Sequence, residues 1–193
     1  MSSWQYEPRC PSLKVVLVGH SGVGKTSLCM TLHNGEAPRD YIPTVDDVSK
    51  TMQRLDDTTE VELALFDTAG SEDYDRLRPL SYVGANCFLL CFSVADRANL
   101  WRVVRMFWPE VTHHVPSASL VLVGTKIDLR HGAADAISFE EGEQLAREIA
   151  AEIYVECSAH SGQGVAQVLQ VALLAAFEAW KRPPVRKKAC SLV

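Results

Sequence analysis

One short stretch, residues 19–26 with the sequence GHSGVGKT, constrains the fold of this chain more than any other. An apolar run rich in β-branched side chains, residues 13–18, precedes it, and residues 26–32 follow with the apolar spacing of a helix. The stretch satisfies the pattern GxxxxGK[ST] between a strand and a helix, where that pattern has a mechanism. A glycine-rich turn can be only a tight turn, but the Lys-Thr pair at its end favours a phosphate-binding loop.

The residue types in this loop suit a phosphate group. Glycines let backbone N–H groups approach phosphate oxygens without a Cβ in the way, and the helix N-terminus adds a partial positive charge. Lys25 would reach the β- and γ-phosphates, and the Thr26 hydroxyl would ligate Mg²⁺. The predicted phosphate-binding residues are Gly19, His20, Ser21, Gly22, Val23, Gly24, Lys25, Thr26 and Ser27.

Composition and charge indicate one globular domain with an acidic body and a basic tail. The chain has 193 residues, of which 47% are hydrophobic, and this suits a short extension (residues 1–12), one nucleotide-binding domain (13–180) and a tail (181–193). The formal charge of −5 becomes −10 without the tail, which holds five basic residues and no acid. The distribution argues against nucleic acid as the main partner and for an anionic surface reached by the tail.

The ends and the cysteines of the chain indicate a cytosolic setting. The first ten residues have no apolar core and the second is Ser, so we expect neither a secretory signal nor N-myristoylation. Six cysteines lack metal-ligand spacing, and several lie in apolar segments. We therefore expect reduced thiols and no structural disulfide.

Strand and helix patterns alternate after the loop. They predict an α/β fold of the P-loop NTPase type, with a doubly wound, mainly parallel six-stranded sheet and helices on both faces. Ser138 and Glu141 form the sequence pattern of a capping box. Ligands of such sheets bind at the carboxyl ends of strands, so Gly19, Asp67, Thr125 and Cys157 should converge. The predicted elements after the first helix are strands 48–55, 61–66, 87–94, 120–124 and 153–157 and helices 99–111, 139–151 and 165–181.

Residues at three strand ends have chemistry that suits a guanine nucleotide with Mg²⁺. Asp67 is placed to hold the metal through water, and the Gly70 N–H could meet a γ-phosphate. The Asp128 carboxylate can accept from N1 and the exocyclic amine of guanine, a donor pair that adenine lacks. The stem of Lys126 would lie along the base, and a backbone N–H at residues 158–159 would reach the guanine oxygen. Each short motif alone could be an ordinary turn, but together with the phosphate-binding loop they are specific.

These motifs resemble those of the Ras superfamily of small GTP-binding proteins, and within it the Rho branch. The resemblance covers residues 13–180 and the C-terminal signal, and it rests on YIPTV (41–45), DTAG (67–70), EDYDRLRPLSY (72–82), CFSV (91–94), VGTKIDLR (123–130) and ECSA (156–159). It implies a monomeric GTP/GDP switch whose loops, near residues 41–49 and 70–82, are ordered by γ-phosphate and Mg²⁺. The implied partners are exchange factors, GTPase-activating proteins, a prenyl-binding dissociation inhibitor and effectors in cytoskeletal or polarity signalling.

The resemblance also assigns roles to residues. Thr26, Thr44 and Asp67 would bind Mg²⁺, and Lys25, Thr44 and the residue at the usual Gln position, Ser71, would form the catalytic set. The effector loop would comprise Tyr41, Ile42, Pro43, Thr44, Val45, Asp46, Asp47, Val48 and Ser49. Beyond the phosphate-binding loop, the implied GTP-binding residues are Tyr41, Thr44, Asp67, Ala69, Gly70, Thr125, Lys126, Asp128, Ser158 and Ala159.

Two departures from the family concern hydrolysis. Ser71 stands where the family carries the Gln that orients the attacking water, and its short hydroxyl cannot span the same distance. Ser21 stands where the family has a glycine beside the γ-phosphate, and its side chain enters the space of an arginine finger. Finger and positioned water together account for about 10⁵ in rate, so we expect slow, poorly stimulated hydrolysis. The alternative is a conventionally cycling GTPase in which another side chain positions the water.

Three further departures concern exchange, effectors and subfamily. Ala37 replaces a Phe that packs on guanine; losing that contact would speed nucleotide release about two- to tenfold, unless His33, Trp4 or Tyr6 fills the gap. Residues 46–49 lack two aromatic anchors, which makes binding to effectors of the common Rac type doubtful. Only seven residues separate Arg130 from Ser138, so the usual Rho insert is absent.

The C-terminal sequence CSLV, residues 190–193, fits a prenylation motif behind a basic cluster. Prenylated Cys190 and the nearby Lys and Arg side chains would act together as a membrane anchor, with farnesyl and geranylgeranyl both open. We therefore expect the cytoplasmic face of the plasma membrane or an endomembrane, with a cytosolic pool. Three hypotheses remain open at this point: a switch that cycles by hydrolysis, a mostly GTP-loaded binding module and a P-loop kinase or ATPase, against which Asp128 argues.

Overall fold

A six-stranded sheet forms the centre of the computed structural model, which describes residues 10–35 and 46–183. The spatial order of the strands is β2-β3-β1-β4-β5-β6. β2 and β3 are antiparallel and all other neighbours are parallel, which confirms the predicted doubly wound sheet. The strands are β1 (Ser12–Val18), β2 (Asp46–Arg54), β3 (Glu60–Thr68), β4 (Cys87–Ser93), β5 (Ser119–Thr125) and β6 (Ile153–Glu156).

Both faces of the sheet are buried, as the continuous apolar runs predict. Successive side chains of a strand point to opposite faces. Accordingly, Val15 and Leu17 belong to one hydrophobic cluster, whereas Val16 and Val18 belong to the other. Helices cover both clusters and so exclude water from both faces. The helices are α1 (Lys25–Asn34), α2 (Arg97–Arg102), α3 (Trp108–His114), α4 (Phe139–Glu148) and α5 (Val165–Lys181).

The helix predicted at residues 99–111 differs from the observed segment. α2 begins two residues earlier because the Asp96 side chain caps it, accepting a hydrogen bond from the Ala98 N–H at 3.0 Å. A π-helical turn, Val103–Phe107, connects α2 to α3, which continues to His114. Pro109 has no N–H and interrupts the regular hydrogen-bond ladder, so a local irregularity next to it has a physical cause.

The helix predicted at residues 139–151 has the predicted start and an earlier end. The capping box is confirmed: the Ser138 hydroxyl accepts from the Glu141 N–H at 3.2 Å, and the Glu141 carboxylate accepts from the Ser138 N–H at 2.9 Å. α4 ends at Glu148, and Ala150 adopts a left-handed conformation with φ of 53°. That conformation breaks the helical ladder before the predicted end.

The other elements lie close to their predicted bounds. α5 has the predicted bounds, and the hairpin strands begin one or two residues earlier. β3 ends at Thr68, two residues later than predicted, so Asp67 lies inside β3 rather than after it. Short 3₁₀ segments, which the sequence patterns did not predict, follow β3 and β5. Within residues 10–35 and 46–183, no helix combines the length and apolarity that crossing a membrane requires.

Candidate functional site

The loop between β1 and α1 turns tightly at two glycines. Gly24, which precedes α1, has φ of 97°, in the left-handed region that favours glycine. At Gly19 the limit is space, because a Cβ there would collide with the backbone carbonyl of Cys91 on β4. The loop therefore needs glycine at both positions to follow its path over the end of the sheet.

Lys25 is the buried cation of this loop. It is 5% exposed, and its Nζ donates hydrogen bonds to the carbonyls of Gly19 at 2.8 Å and His20 at 3.0 Å. Burial lowers the pKa of Lys25, while the nearby Asp67 carboxylate acts in the opposite direction. Two neutral carbonyls do not balance a buried positive charge, so an anionic phosphate suits this position.

The segment after β3 contacts the phosphate-binding loop directly. The Ser21 N–H donates to the Gly70 carbonyl at 3.1 Å. A Cβ on Gly70 would lie 2.5 Å from both Lys25 Nζ and Ser21 N, so only glycine fits there. Ser71, the next residue, caps a short 3₁₀ turn, and its hydroxyl donates to the Asp73 carboxylate at 3.1 Å. The Ser71 hydroxyl is thus engaged within its own turn.

The donor atoms beside this loop fit a magnesium ion bound together with phosphate. Asp67 is 2% exposed, and its carboxylate lies close enough to Lys25 to influence that ammonium. A carboxylate and the Thr26 hydroxyl are hard oxygen donors, and Mg²⁺ in nucleotide sites takes few protein ligands. The described part of the chain contains no group of three or more His, Cys, Asp or Glu that could hold a metal by itself.

Several predicted site residues lie outside the described residues. Ala37, Tyr41, Ile42, Pro43, Thr44 and Val45 fall there, as do Trp4, Tyr6 and Cys190. The remaining effector-loop residues, Asp46, Asp47, Val48 and Ser49, form the start of β2 and pair with residues 65–68 at the end of β3. The roles of all these residues stay predictions.

A cavity of about 220 Å³ lies beside the loop, between α1 and the carboxyl ends of β5 and β6. The predicted site residues Gly24, Ser27, Thr125, Lys126, Asp128, Cys157 and Ala159 line it, and the sequence reasoning missed three more, Leu28, Leu129 and His160. Of the four residues predicted to converge, Thr125 and Cys157 meet at this cavity, whereas Gly19 and Asp67 do not line it.

Hydrogen bonds join this cavity to the phosphate-binding loop. The buried Thr125 hydroxyl lies 2.5 Å from the Val23 carbonyl and 2.9 Å from the Phe92 carbonyl. Lys126 has φ of 59°, and its Nζ donates to the Gly22 carbonyl at 2.6 Å. Its side chain, which lines the cavity, therefore connects the segment after β5 to the phosphate-binding loop. Ser158 is fully buried, and its hydroxyl accepts from the Ser161 N–H at 3.1 Å. Base-side and phosphate-side elements form one connected site.

Comparison with known proteins agrees with this geometry. The family model described as Ras family matches residues 14–177. The chain belongs to the Ras superfamily of small GTPases. It is similar to the Ras-like GTP-binding protein RhoL of Drosophila melanogaster, with 41% identity over 182 residues and 94% of each chain covered. Members of the superfamily bind GTP and GDP, typically with Mg²⁺.

A pair missed by the sequence reasoning connects the two base-side loops of this GTPase. Arg130, two residues after Asp128, forms an ion pair with Glu156, two residues before Ser158. Tyr154 also donates to Glu156 at 2.6 Å, and Arg130 Nε donates to the Ile137 carbonyl at 3.1 Å. Opposite charges flanking the two base motifs at equal spacing were the signal that could have predicted this pair.

A second missed network holds the segment after β3 against α3. Arg78 is 1% exposed, and its guanidinium donates to both Glu110 carboxylate oxygens, at 3.0 and 2.8 Å. Tyr82 donates to the same carboxylate at 2.5 Å, and Arg78 also reaches the Ala69 carbonyl at 3.3 Å. Burial and the bond to Glu110 raise the pKa of Tyr82. Nothing in the sequence distinguished Arg78 from the neighbouring arginines of a polar loop.

Proposed function

We propose that this small GTPase is a Rho-like, membrane-anchored switch that is mostly GTP-loaded and acts on effectors in cytoskeletal or polarity signalling. The observation that carries the proposal is the contrast between the nucleotide pocket and the hydrolytic positions. Predicted base residues line one cavity together with Gly24 and Ser27 of the phosphate-binding loop, whereas serines stand at both positions that the family uses for hydrolysis.

We expect the nucleotide to be held by the residues of the predicted site. Lys25 and the loop N–H groups bind phosphate oxygens, and Asp128 accepts from the two guanine donors. Thr26, Thr44 and Asp67 would hold Mg²⁺, which would offset phosphate charge. The stem of Lys126, anchored on the Gly22 carbonyl, lies along the base. These contacts support tight binding and do not by themselves accelerate hydrolysis.

Hydrolysis is slow because two contributions are missing. The Ser71 hydroxyl bonds to Asp73 within its own turn and is too short to orient a water at the γ-phosphate. The exposed Ser21 side chain occupies the approach of an arginine finger. Since finger and positioned water account for about 10⁵ in rate, their joint loss leaves GTP long-lived on the protein.

Fast exchange would favour the same loaded state. Ala37 cannot provide the aromatic contact on guanine that the family's Phe makes, so nucleotide release is faster by about two- to tenfold. Cellular GTP then refills the site. The 41% identity to RhoL supports the Rho-like assignment, although the insert between Arg130 and Ser138 is absent.

Membrane attachment uses two signals at the C-terminus. A prenyl group on Cys190 binds a bilayer reversibly, and the neighbouring basic residues each add about 1 kcal/mol on an anionic leaflet. Exchange factors, activating proteins and a dissociation inhibitor would act on the switch as they do on its family. Changing Cys190→Ser should release the protein from the membrane fraction, with Cys10→Ser as the matched control; unchanged attachment would refute the anchor.

The deciding experiment measures the nucleotide bound to protein purified from cells. Predominant GTP supports the loaded state, and predominant GDP contradicts it and favours a cycling switch. Single-turnover hydrolysis with and without a Rho-type activating protein separates the two routes. Slow hydrolysis in both conditions supports the proposal that Ser21 and Ser71 limit hydrolysis, whereas strong stimulation by the activating protein contradicts it. GDP release in the presence of Mg²⁺ tests the exchange route, which a typical slow rate would exclude.

A further inference from the structure

A second cavity, of about 270 Å³, lies between the end of β2 and one side of α5. We call it the β2–α5 groove. Its lining is mainly apolar, with Leu55, Leu169, Leu173 and Leu174, and Arg54 at its edge. Leu174 is 47% exposed although it lies on this apolar lining. The volume is below the roughly 300–1,000 Å³ of small-molecule sites, so the groove suits one or two protein side chains.

The start of the described chain lies next to this groove. The Cys10 thiol donates to the Glu60 carbonyl at 2.8 Å, and the Pro11 carbonyl accepts from the Glu62 N–H at 2.8 Å. The chain thus enters β1 alongside the first residues of β3. Glu60 is the direct partner of Arg54 in the antiparallel β2–β3 ladder, which places their Cα atoms about 5 Å apart. Arg54 is itself part of the groove lining.

The nine residues before Cys10 have the length and the side chains to fill the groove. Their sequence, MSSWQYEPR, carries Trp4 and Tyr6, which are six and four residues before Cys10. At about 3.3 Å per extended residue, these two side chains reach roughly 20 and 13 Å from that point. Both distances exceed the single strand spacing that separates Glu60 from Arg54.

The C-terminal tail leaves the domain at a point away from the β2–α5 groove. Arg182, at the end of α5, donates to Glu152 at 3.1 Å and to the Ser117 carbonyl at 3.5 Å. Ser117 lies just before β5, which is three strands from β3, or roughly 14 Å. The tail therefore leaves the domain on the β5–β6 side, away from the groove.

The guanine pocket is also a poor destination for the N-terminal aromatics. The phosphate-binding loop begins at the far end of β1, whose seven residues span about 23 Å. The reach of Trp4, about 20 Å from Cys10, falls short of that distance even when the segment is fully extended. The groove is nearer and apolar.

We infer that residues 1–9 fold back on their own domain and insert Trp4 and Tyr6 into the β2–α5 groove. The inference is independent of the proposed function. Burial of two aromatic rings against leucines drives the docking, and the exposed apolar surface of Leu174 is covered by it. Docking would also connect the C-terminal end of β2 to α5. The predicted effector loop lies at the opposite, N-terminal end of β2.

Limited trypsin digestion of the full nucleotide-loaded protein tests this, with cleavage after Arg9 measured by mass spectrometry. Cleavage there follows the undocked population when docking is fast. The double change Trp4→Ala with Tyr6→Ala should speed it about tenfold, equivalent to about 1.4 kcal/mol. Ser2→Ala with Ser3→Ala is the matched control and should leave it unchanged.

A change on the groove side completes the test. Leu174→Asp should speed cleavage after Arg9 as much as the aromatic variant, whereas Met52→Asp, on an exposed residue outside the groove, should not. No acceleration in the aromatic variant would overturn the inference. Acceleration in that variant but not with Leu174→Asp would place the aromatics elsewhere and also overturn it. A dimer that sediments as such and is dissociated only by Leu174→Asp would assign the groove to a second copy instead.

Discussion

The guanine side and the γ-phosphate side of the site differ in the hydrogen bonds and ion pairs that connect their loops. On the guanine side, the loops after β5 and β6 are bound to each other by Arg130 and Glu156 and to the phosphate-binding loop by Thr125 and Lys126. On the γ-phosphate side, the Ser21 N–H donates to the Gly70 carbonyl, and the predicted metal and effector residues 41–45 lie outside the described residues. Retaining a nucleotide and cleaving it are therefore separable properties, each with its own residues.

Restoring the hydrolytic positions would remove the difference between the two sides. The double change Ser21→Gly with Ser71→Gln should make hydrolysis responsive to a Rho-type activating protein, with a rate gain approaching about 10⁵. Single-turnover GTP hydrolysis measures this, and Ser117→Gln, at an exposed serine outside the site, is the control. If the double variant stays as slow as the natural chain, the serines are not what limits the reaction.

Damaging the guanine side should abolish base preference. Asp128→Asn removes a carboxylate that accepts two hydrogen bonds, each worth about 1.5–3 kcal/mol to a charged group, so GTP affinity should fall by about 10²–10⁴. Titration of GTP against ATP gives the result, with Asp135→Asn, an exposed carboxylate nearby, as control. Unchanged discrimination between the two nucleotides would mean that the base binds elsewhere.

The connection between the base-side loops can be tested without touching the nucleotide. Arg130→Ala leaves Glu156 with Tyr154 as partner and loosens both loops, so GDP release should quicken about tenfold, or about 1.4 kcal/mol. Stopped-flow release and the thermal midpoint are measured together. Arg147→Ala, which removes an exposed ion pair on α4, is the control. A lower midpoint with unchanged release would make the Arg130 pair structural only.

The smallest expected effect concerns the missing aromatic on the base. Ala37→Phe should slow GDP release about two- to tenfold by restoring a ring contact with guanine. The matched control is Ala134→Phe, at an exposed position that does not line the base-side cavity. Release that is equally fast in both variants would show that another group already covers the base.

The fold could be predicted almost completely from the sequence because its signals are local. The apolar runs of β1, β4 and β5 and the capping box of α4 each depend on a few neighbouring residues. The end of α4 and the π-helical turn before α3 could not be predicted. They follow from a left-handed Ala150 and from how Pro109 is accommodated, which periodicity does not encode.

The residues of the site also divide into those that local sequence spacing predicts and those that it does not. Gly24, Lys25, Thr125 and Asp128 follow spacing rules that a single sequence shows. Arg78 depends on Glu110, 32 residues away, which only the packing of the segment after β3 on α3 brings into contact. Charged pairs of that kind depend on tertiary structure, so no local pattern predicts them.

The bond from Arg182 to Glu152 has a geometric consequence for a prenylated protein. It fixes the point from which the last eleven residues depart, so Cys190, eight residues on, can lie at most about 27 Å from that corner of the domain. A bilayer holding the prenyl group would then confine the domain to a thin layer above the lipid. With such an anchor, the β5–β6 side would be the part of the sheet nearest the lipid, and β2, at the other edge, would be the part farthest from it.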